Sequence, residues 1–141
     1  MNRKKLLIGL ALIVLVLPIL TACGGPTTVD AKLKTYIILL DKLSAPAGEI
    51  TFHVHNDATD LKHEFVIFKT DLPQGELPTN EEGIVDEEGA GITFIDEVEL
   101  EPGEAQDLTV NLEAGNYVII CNIDSDEMHY AHGMHTAFTV E

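Results

Sequence analysis

The carboxyl-terminal part of the chain concentrates side chains that bind soft metal ions. One thiol, Cys121, is followed by three histidines and two methionines, namely Met128, His129, His132, Met134 and His135. A thiolate, two imidazoles and a weak thioether are the donors of blue copper sites, where two histidines and a cysteine surround the ion with a distant axial methionine. The segment therefore predicts most of a copper site. The remaining ligand must come from elsewhere, and His63 is the candidate.

Cys121 also has an ordinary interpretation as a small core residue, because it shares strand parity with Tyr117 and Ile119. The only other cysteine, Cys23, lies at the predicted lipidation site described below, which leaves Cys121 without a disulfide partner. The amino-terminal signal predicts export to an oxidising compartment, where a lone thiol is a liability unless something occupies it. Together with His63 and the histidines and methionines that follow, this favours a ligand role for Cys121.

The elements that must position these side chains are short strands. Residues 50–55 alternate strictly, with Ile50, Phe52 and Val54 predicted to point inward. Further apolar runs are separated by Gly and Pro turn signals and cover residues 36–40, 63–68, 92–95, 108–112, 117–121 and 137–140. With no long helical periodicity after the first segment, we predict an all-β, Greek-key β-sandwich of about seven to eight strands.

Two other features receive less specific predictions. Residues 71–91 are rich in Glu, Gly and Pro and lack the ligand spacing of an EF-hand, which predicts a solvated acidic loop. His53 and His55 share the outward face of the strand over 50–55. Two imidazoles without a third donor make a weak metal site, so an exposed pair is predicted there.

The first 22 residues have the form of a secretory signal. Three basic residues, Arg3, Lys4 and Lys5, precede the apolar run 6–20. That run is shorter than the roughly 20 apolar residues that a membrane-spanning helix needs, which favours a cleaved signal.

The junction Leu20-Thr21-Ala22-Cys23 resembles the lipobox of bacterial lipoproteins. The resemblance implies cleavage before Cys23 and acylation of its thiol, which would hold the protein on the cell membrane facing the periplasm or the cell exterior. The predicted organisation is a signal peptide (1–22), a lipid-anchored tether (23–34) and one domain (35–141).

Without the signal, 5 basic residues stand against 24 acidic ones, a formal net charge of −19. Such a surface repels nucleic acid and anionic lipid and attracts basic proteins. Nucleic-acid binding is therefore excluded, and partners with a basic docking surface are expected.

The order of the candidate ligands resembles that of the cupredoxin family of blue copper proteins. His63-Glu64-Phe65-Val66 follows a turn that contains Asn56, Gly115-Asn116-Tyr117 opens the strand leading to Cys121, and His129 and Met134 follow in one loop. The resemblance covers nearly the whole mature domain and implies one type 1 copper ion held by His63, Cys121, His129 and Met134.

One departure concerns the gap between Cys121 and His129, which is longer than is usual in the family. A longer loop can bulge outward without moving its ends, since closure entropy grows slowly with length. The unusual length leaves open which histidine is the second ligand: His132 is the alternative to His129, and His135 is a weaker competitor.

The resemblance implies a non-enzymatic protein that transfers one electron to and from redox partner proteins, with the exposed edge of the loop histidine as the electron port. The alternative function is capture or delivery of copper outside the cell membrane. Copper enzymes with this fold, such as nitrite reductases and multicopper oxidases, use additional domains that the chain lacks.

Overall fold

The computed structural model describes residues 25–124 and 127–141, so the predicted signal and the lipidation site Cys23 lie outside the described residues. Nine strands make up the regular structure of these ranges. They are β1 (Thr27–Lys34), β2 (Ile37–Leu40), β3 (Ser44–Ala45), β4 (Gly48–Asn56), β5 (His63–Thr70), β6 (Ile92–Leu100), β7 (Ala105–Leu112), β8 (Gly115–Ile120) and β9 (His135–Val140). In the described ranges, no helix has the length and apolar character needed to cross a bilayer.

The strands form two sheets. The first, sheet A, has the order β2-β1-β4-β7, and the second, sheet B, has the order β3-β9-β8-β5-β6. Neighbouring strands are antiparallel except for the pairs β1/β4 and β3/β9, which are parallel. The predicted all-β sandwich is confirmed, with more strands than the seven to eight expected.

The main core lies between the sheets and follows from strict alternation along the strands. In β4 the side chains of Ile50, Phe52 and Val54 are buried, and in β8 those of Tyr117 and Ile119 are buried with them. Burying a large apolar side chain stabilises the folded state by roughly 1.5 to 3 kcal/mol. The side chains between these positions point to the outer faces of the sheets.

The predicted tether over 23–34 is wrong for residues 27–34, which form β1. Its alternate residues Val29, Ala31 and Leu33 are buried in the main core. The strand pairs in parallel with β4 over its whole length and antiparallel with β2. Polar residues between the apolar positions lower the mean hydropathy of the segment, but it is the period of two that marks a half-buried strand.

The acidic segment 71–91 is also less solvated than predicted. The outer face of sheet B carries a second apolar cluster. The segment contributes Leu77 and Val85 to it, and the loop between β8 and β9 contributes Tyr130. The side chains of Leu77 and Val85 are nearly inaccessible to solvent. The acidic side chains face water while two apolar residues anchor the loop to the sheet.

The placement of β1 makes a stability prediction. Leu33→Ala should lower the free energy of unfolding by about 2 to 5 kcal/mol, because it removes a fully buried side chain from the core. Lys34→Ala, one residue on and exposed, should change it by less than about 0.5 kcal/mol. Urea denaturation of the two variants makes the comparison. Equal, small losses would mean that β1 is not part of the folded domain.

Candidate metal centre

The three strongest candidate ligands meet at one end of the sandwich. His63 is the first residue of β5, and Cys121 directly follows β8. These strands are antiparallel neighbours, with Val66 opposite Ile120. The start of one therefore lies beside the end of the other. His129 comes from the loop between β8 and β9.

The donor atoms of these three residues converge. The Nδ1 atoms of His63 and His129 are 3.1 Å apart. The Sγ of Cys121 lies 3.6 Å from the first and 3.3 Å from the second. All three side chains are buried, and even His129, on the loop, is only 2% exposed. Within the described residues, this is the one group of three or more histidine, cysteine or carboxylate side chains whose donor atoms lie close enough together to hold a metal ion.

The size of the cluster fits a metal ion. A point equidistant from the three donor atoms lies about 1.9 Å from each, close to the roughly 2.0 to 2.3 Å at which zinc binds nitrogen and sulfur in proteins. Two imidazoles and a thiolate in a trigonal arrangement are the donors that suit copper. The residues present therefore fit the predicted ion.

Met134 lies against the same cluster through its backbone. Its carbonyl accepts a hydrogen bond from the N–H of Cys121, and its own N–H donates to the carbonyl of His129, both at 3.0 Å. Its side chain is fully buried. Gly133 before it has φ +91°, a left-handed conformation that glycine adopts easily and that lets the loop turn back.

The competing histidines lie outside the cluster. His132 is exposed, and its ring stacks on Tyr36 with the centroids 4.8 Å apart. His135 opens β9 and packs against Tyr130, which belongs to the second apolar cluster. The structure thus brings together His63, Cys121 and His129 and leaves His132 and His135 apart. Ligation by any of them remains a prediction.

Neither a protein-family model nor a curated protein sequence matches the chain. Solved structures do. Reduced auracyanin from Roseiflexus castenholzii matches with TM-score 0.60 and 25% identity, over 84% of this chain and 99% of that one. Rusticyanin from Thiobacillus ferrooxidans matches with TM-score 0.61 and 18% identity, over 84% and 79% of the two chains. Auracyanin A from Chloroflexus aurantiacus, described as a "blue" copper protein, matches with TM-score 0.56 and 20% identity, over 83% and 100%.

The chain has the cupredoxin fold. The resemblance that the motifs indicated is thereby confirmed, and the candidate centre lies within a sandwich shared with blue copper proteins.

Two residues that the sequence did not single out hold the loop between β8 and β9 to the segment 71–91. Asn122 accepts a hydrogen bond from the N–H of Val85 (2.8 Å) and donates to its carbonyl (3.1 Å). The hydroxyl of Tyr130 accepts from the N–H of Leu77 (2.9 Å) and donates to the carbonyl of Gln74 (3.1 Å). Such supporting contacts fix ligand orientation before an ion binds.

Burial sets the protonation of the cluster. It raises the pKa of Cys121 to about 12, against the opposing effect of the Glu64 N–H that donates to its sulfur at 3.2 Å. Burial, and then the neighbouring His129, lower the pKa of His63 to about 4, and burial lowers that of His129. At neutral pH the two imidazoles are therefore ready to bind a cation, whereas the thiol must release its proton to do so.

The electron port expected at an exposed edge of the loop histidine is not present, because His129 is almost completely buried. The ring of Tyr36 covers it in an edge contact, with the centroids 5.2 Å apart at 78°. Tyr36 occupies the two-residue turn between β1 and β2 with φ +56°, an uncommon backbone conformation for a residue other than glycine.

Glu64, next to the cluster, has its pKa raised from 4.5 to about 7, first by burial and then by the carboxylates of Glu97, Glu99 and Glu87. A carboxyl group with a raised pKa binds its proton more tightly in the folded chain than in the unfolded one. Its stabilising contribution is therefore complete below pH 4.5 and is lost as the pH rises through about 7.

Replacing this carboxyl should remove the pH-dependent loss. In the metal-free protein we expect Glu64→Gln to raise the free energy of unfolding by about 1 to 2 kcal/mol at pH 8, after allowance for screening by solvent. No gain is expected at pH 4.5. Urea denaturation at both pH values makes the measurement, with the exposed Glu88→Gln as the matched control. A gain of the same size at both pH values would contradict the assignment.

Proposed function

We propose that the protein is a membrane-anchored blue copper protein that transfers single electrons through one mononuclear type 1 copper ion. The observation that carries the proposal is the buried cluster of His63, Cys121 and His129 at the end of a cupredoxin sandwich. When bound, copper supplies a one-electron couple. The auracyanin and rusticyanin structures of the same fold support this assignment.

Each ligand has a distinct role. His63 and His129 would hold the ion through Nδ1, Cys121 would supply the thiolate, and Met134 would supply a weak thioether donor. His63 and Cys121 lie at strand ends with a fixed register, and Asn122 clamps the loop that follows. Donors held in this way move little between two oxidation states, which is what rapid electron transfer requires.

Burial of the cluster argues against the alternative function, copper delivery. Handover of an ion requires a ligand that an incoming partner can displace, but none of the three clustered side chains exceeds 2% exposure. Retention of the ion is the better match to this geometry. A delivery protein would lose its copper rapidly to an added chelator, and we expect slow loss.

Electrons should reach the cluster through Tyr36 and His132. The ring of Tyr36 touches His129, and the exposed ring of His132 stacks on Tyr36 at an interplanar angle of 27°. The two rings together connect the buried imidazole to the surface. The contact that a redox partner makes would then lie on this stacked pair rather than on His129.

The surroundings of the protein follow from its charge and its amino terminus. With a formal charge of −19 after signal removal, redox partners should offer a basic docking surface. Acylation of Cys23 would anchor the protein to the cell membrane, facing the periplasm or the exterior. Because β1 begins at Thr27, only residues 23–26 would separate the lipid from the folded domain.

Addition of Cu(II) to the protein lacking residues 1–23, which also removes the thiol of Cys23, tests the proposed centre. We expect an intense visible band from thiolate-to-copper charge transfer, because Cys121 supplies the only thiolate of the described residues. Cys121→Ser and His129→Gly should each abolish the band. His132→Gly, which removes a neighbouring but exposed histidine, should leave it nearly unchanged and serves as the matched control.

Rescue separates a lost ligand from a lost fold. Added imidazole should restore part of the band to His129→Gly by filling the vacated position. A colourless complex of the unaltered protein would overturn the type 1 assignment. Bleaching of His132→Gly with a blue His129→Gly would instead make His132 the ligand.

Loss of the stacked pair should slow electron transfer without altering the centre. We expect Tyr36→Leu to lower the electron self-exchange rate by about tenfold or more, while Tyr36→Phe keeps the ring contacts and the rate. The rates are measurable from NMR line broadening in mixtures of the two oxidation states. Unchanged rates in the leucine variant, at an unchanged visible spectrum, would place the route elsewhere.

A further inference from the structure

A second group of side chains that are able to bind metals lies on the outer face of sheet A, outside the His63, Cys121 and His129 cluster. His53 and His55 occupy alternate positions of β4, a strand flanked by β1 on one side and β7 on the other. Both side chains are close to half exposed, at 44% and 45%. The copper centre uses neither of them.

Each of these imidazoles is held by a carboxylate through the same ring nitrogen. The Nδ1 of His53 lies 2.5 Å from the carboxylate of Asp107, which sits directly across on β7. The Nδ1 of His55 contacts the carboxylate of Asp57. An Nδ1–H bound to a carboxylate leaves the Nε2 lone pair available. Histidines that ligate metals characteristically donate their other ring N–H to a carboxylate in this way.

A third donor faces the same pair. Asp30 on β1 is the cross-strand neighbour of His53, and its charge contributes to raising the pKa of that histidine. Directly opposed residues in a sheet bring their Cβ atoms to about 5 Å. Asp30, His53, His55, Asp57 and Asp107 line one open depression of about 450 Å³. Lys32 also lines it, and its positive charge limits the affinity for a cation.

We propose that His53 and His55, with Asp30 as third donor, bind a divalent first-row transition ion on this surface, and Cu(II) most tightly of the series. Two imidazoles and a carboxylate suit such ions, and the affinity order of the series places Cu(II) highest. Asp107 and Asp57 are positioning residues that orient the rings. The proposal does not depend on the copper centre described above.

The surface site differs from the buried one in how far its donors must move. Among the described residues only the buried cluster has its donor atoms all within 4.8 Å of one another. The exposed imidazoles must rotate toward each other to share an ion. Binding at the surface should therefore be weaker and readily exchangeable, as suits an ion that is taken up and released in solution.

The test titrates the protein lacking residues 1–23, already filled with one equivalent of copper, at pH 8 with further Cu(II) supplied as its glycine complex, which keeps the ion in solution. The alkaline pH is chosen because the side-chain hydrogen bond to Asp107 raises the pKa of His53, so that protons compete with the ion for this imidazole at lower pH. Calorimetry gives stoichiometry and affinity, and electron paramagnetic resonance distinguishes the added ion from the first. We expect a second equivalent without thiolate colour.

Substitutions show where the second equivalent of Cu(II) binds. His53→Gln and His55→Gln should each lower its affinity at least about tenfold, and Asp107→Asn should lower it less. The visible band of the first ion and the urea midpoint should stay unchanged in all three variants. His132→Gln, which removes an exposed histidine from the loop between β8 and β9, is the matched control and should leave binding of the second equivalent unchanged. The proposal is overturned if no second equivalent binds at 100 μM Cu(II), or if it survives the loss of both His53 and His55.

Discussion

The register between β5 and β8 is the constraint on which the centre depends. It places Val66 opposite Ile120 and thereby sets His63 beside Cys121, although 57 residues lie between them in sequence. Because side chains alternate across a strand, a slip of one residue would turn one of the two donors to the outer face. Apolar side chains on both faces of β5 oppose such a slip, since its inner residues pack in the main core and its outer residues pack under the acidic segment.

Burial destabilises the cluster when no ion is bound and sets the protonation of its donor atoms. The Nε2 of His63 is buried and has no hydrogen-bond partner among the described residues. A buried polar atom without a partner destabilises the fold by about 1 to 3 kcal/mol. The same environment keeps the imidazoles neutral and the thiol protonated. A bound cation would favour the thiolate and use the Nδ1 lone pairs of His63 and His129. It would not give the Nε2–H of His63 a partner, so that part of the cost would remain.

The sequence predicted what depends on local pattern and donor chemistry. Alternation identified β4, an apolar run after a glycine turn signal identified β8, and the types and order of the late residues indicated the candidate metal donors. It missed β1, where charged residues between Val29, Ala31 and Leu33 hid a regular period. It also missed the hydrogen bonds of Asn122 to Val85 and the cover that Tyr36 places over His129. Those contacts join residues far apart in the chain, so no local periodicity encodes them.

Histidines in this protein take opposite roles because their surroundings differ. His63 sits in the interior, where burial lowers its pKa to about 4 and leaves a neutral donor facing a thiol. His53 sits in water beside Asp107, which raises its pKa and orients the ring outward. The first environment restricts access and would retain a bound ion, whereas the second admits solvent and competing protons. Strand parity thus places His63 against the core and His53 in solvent, and so decides which kind of metal binding each could support.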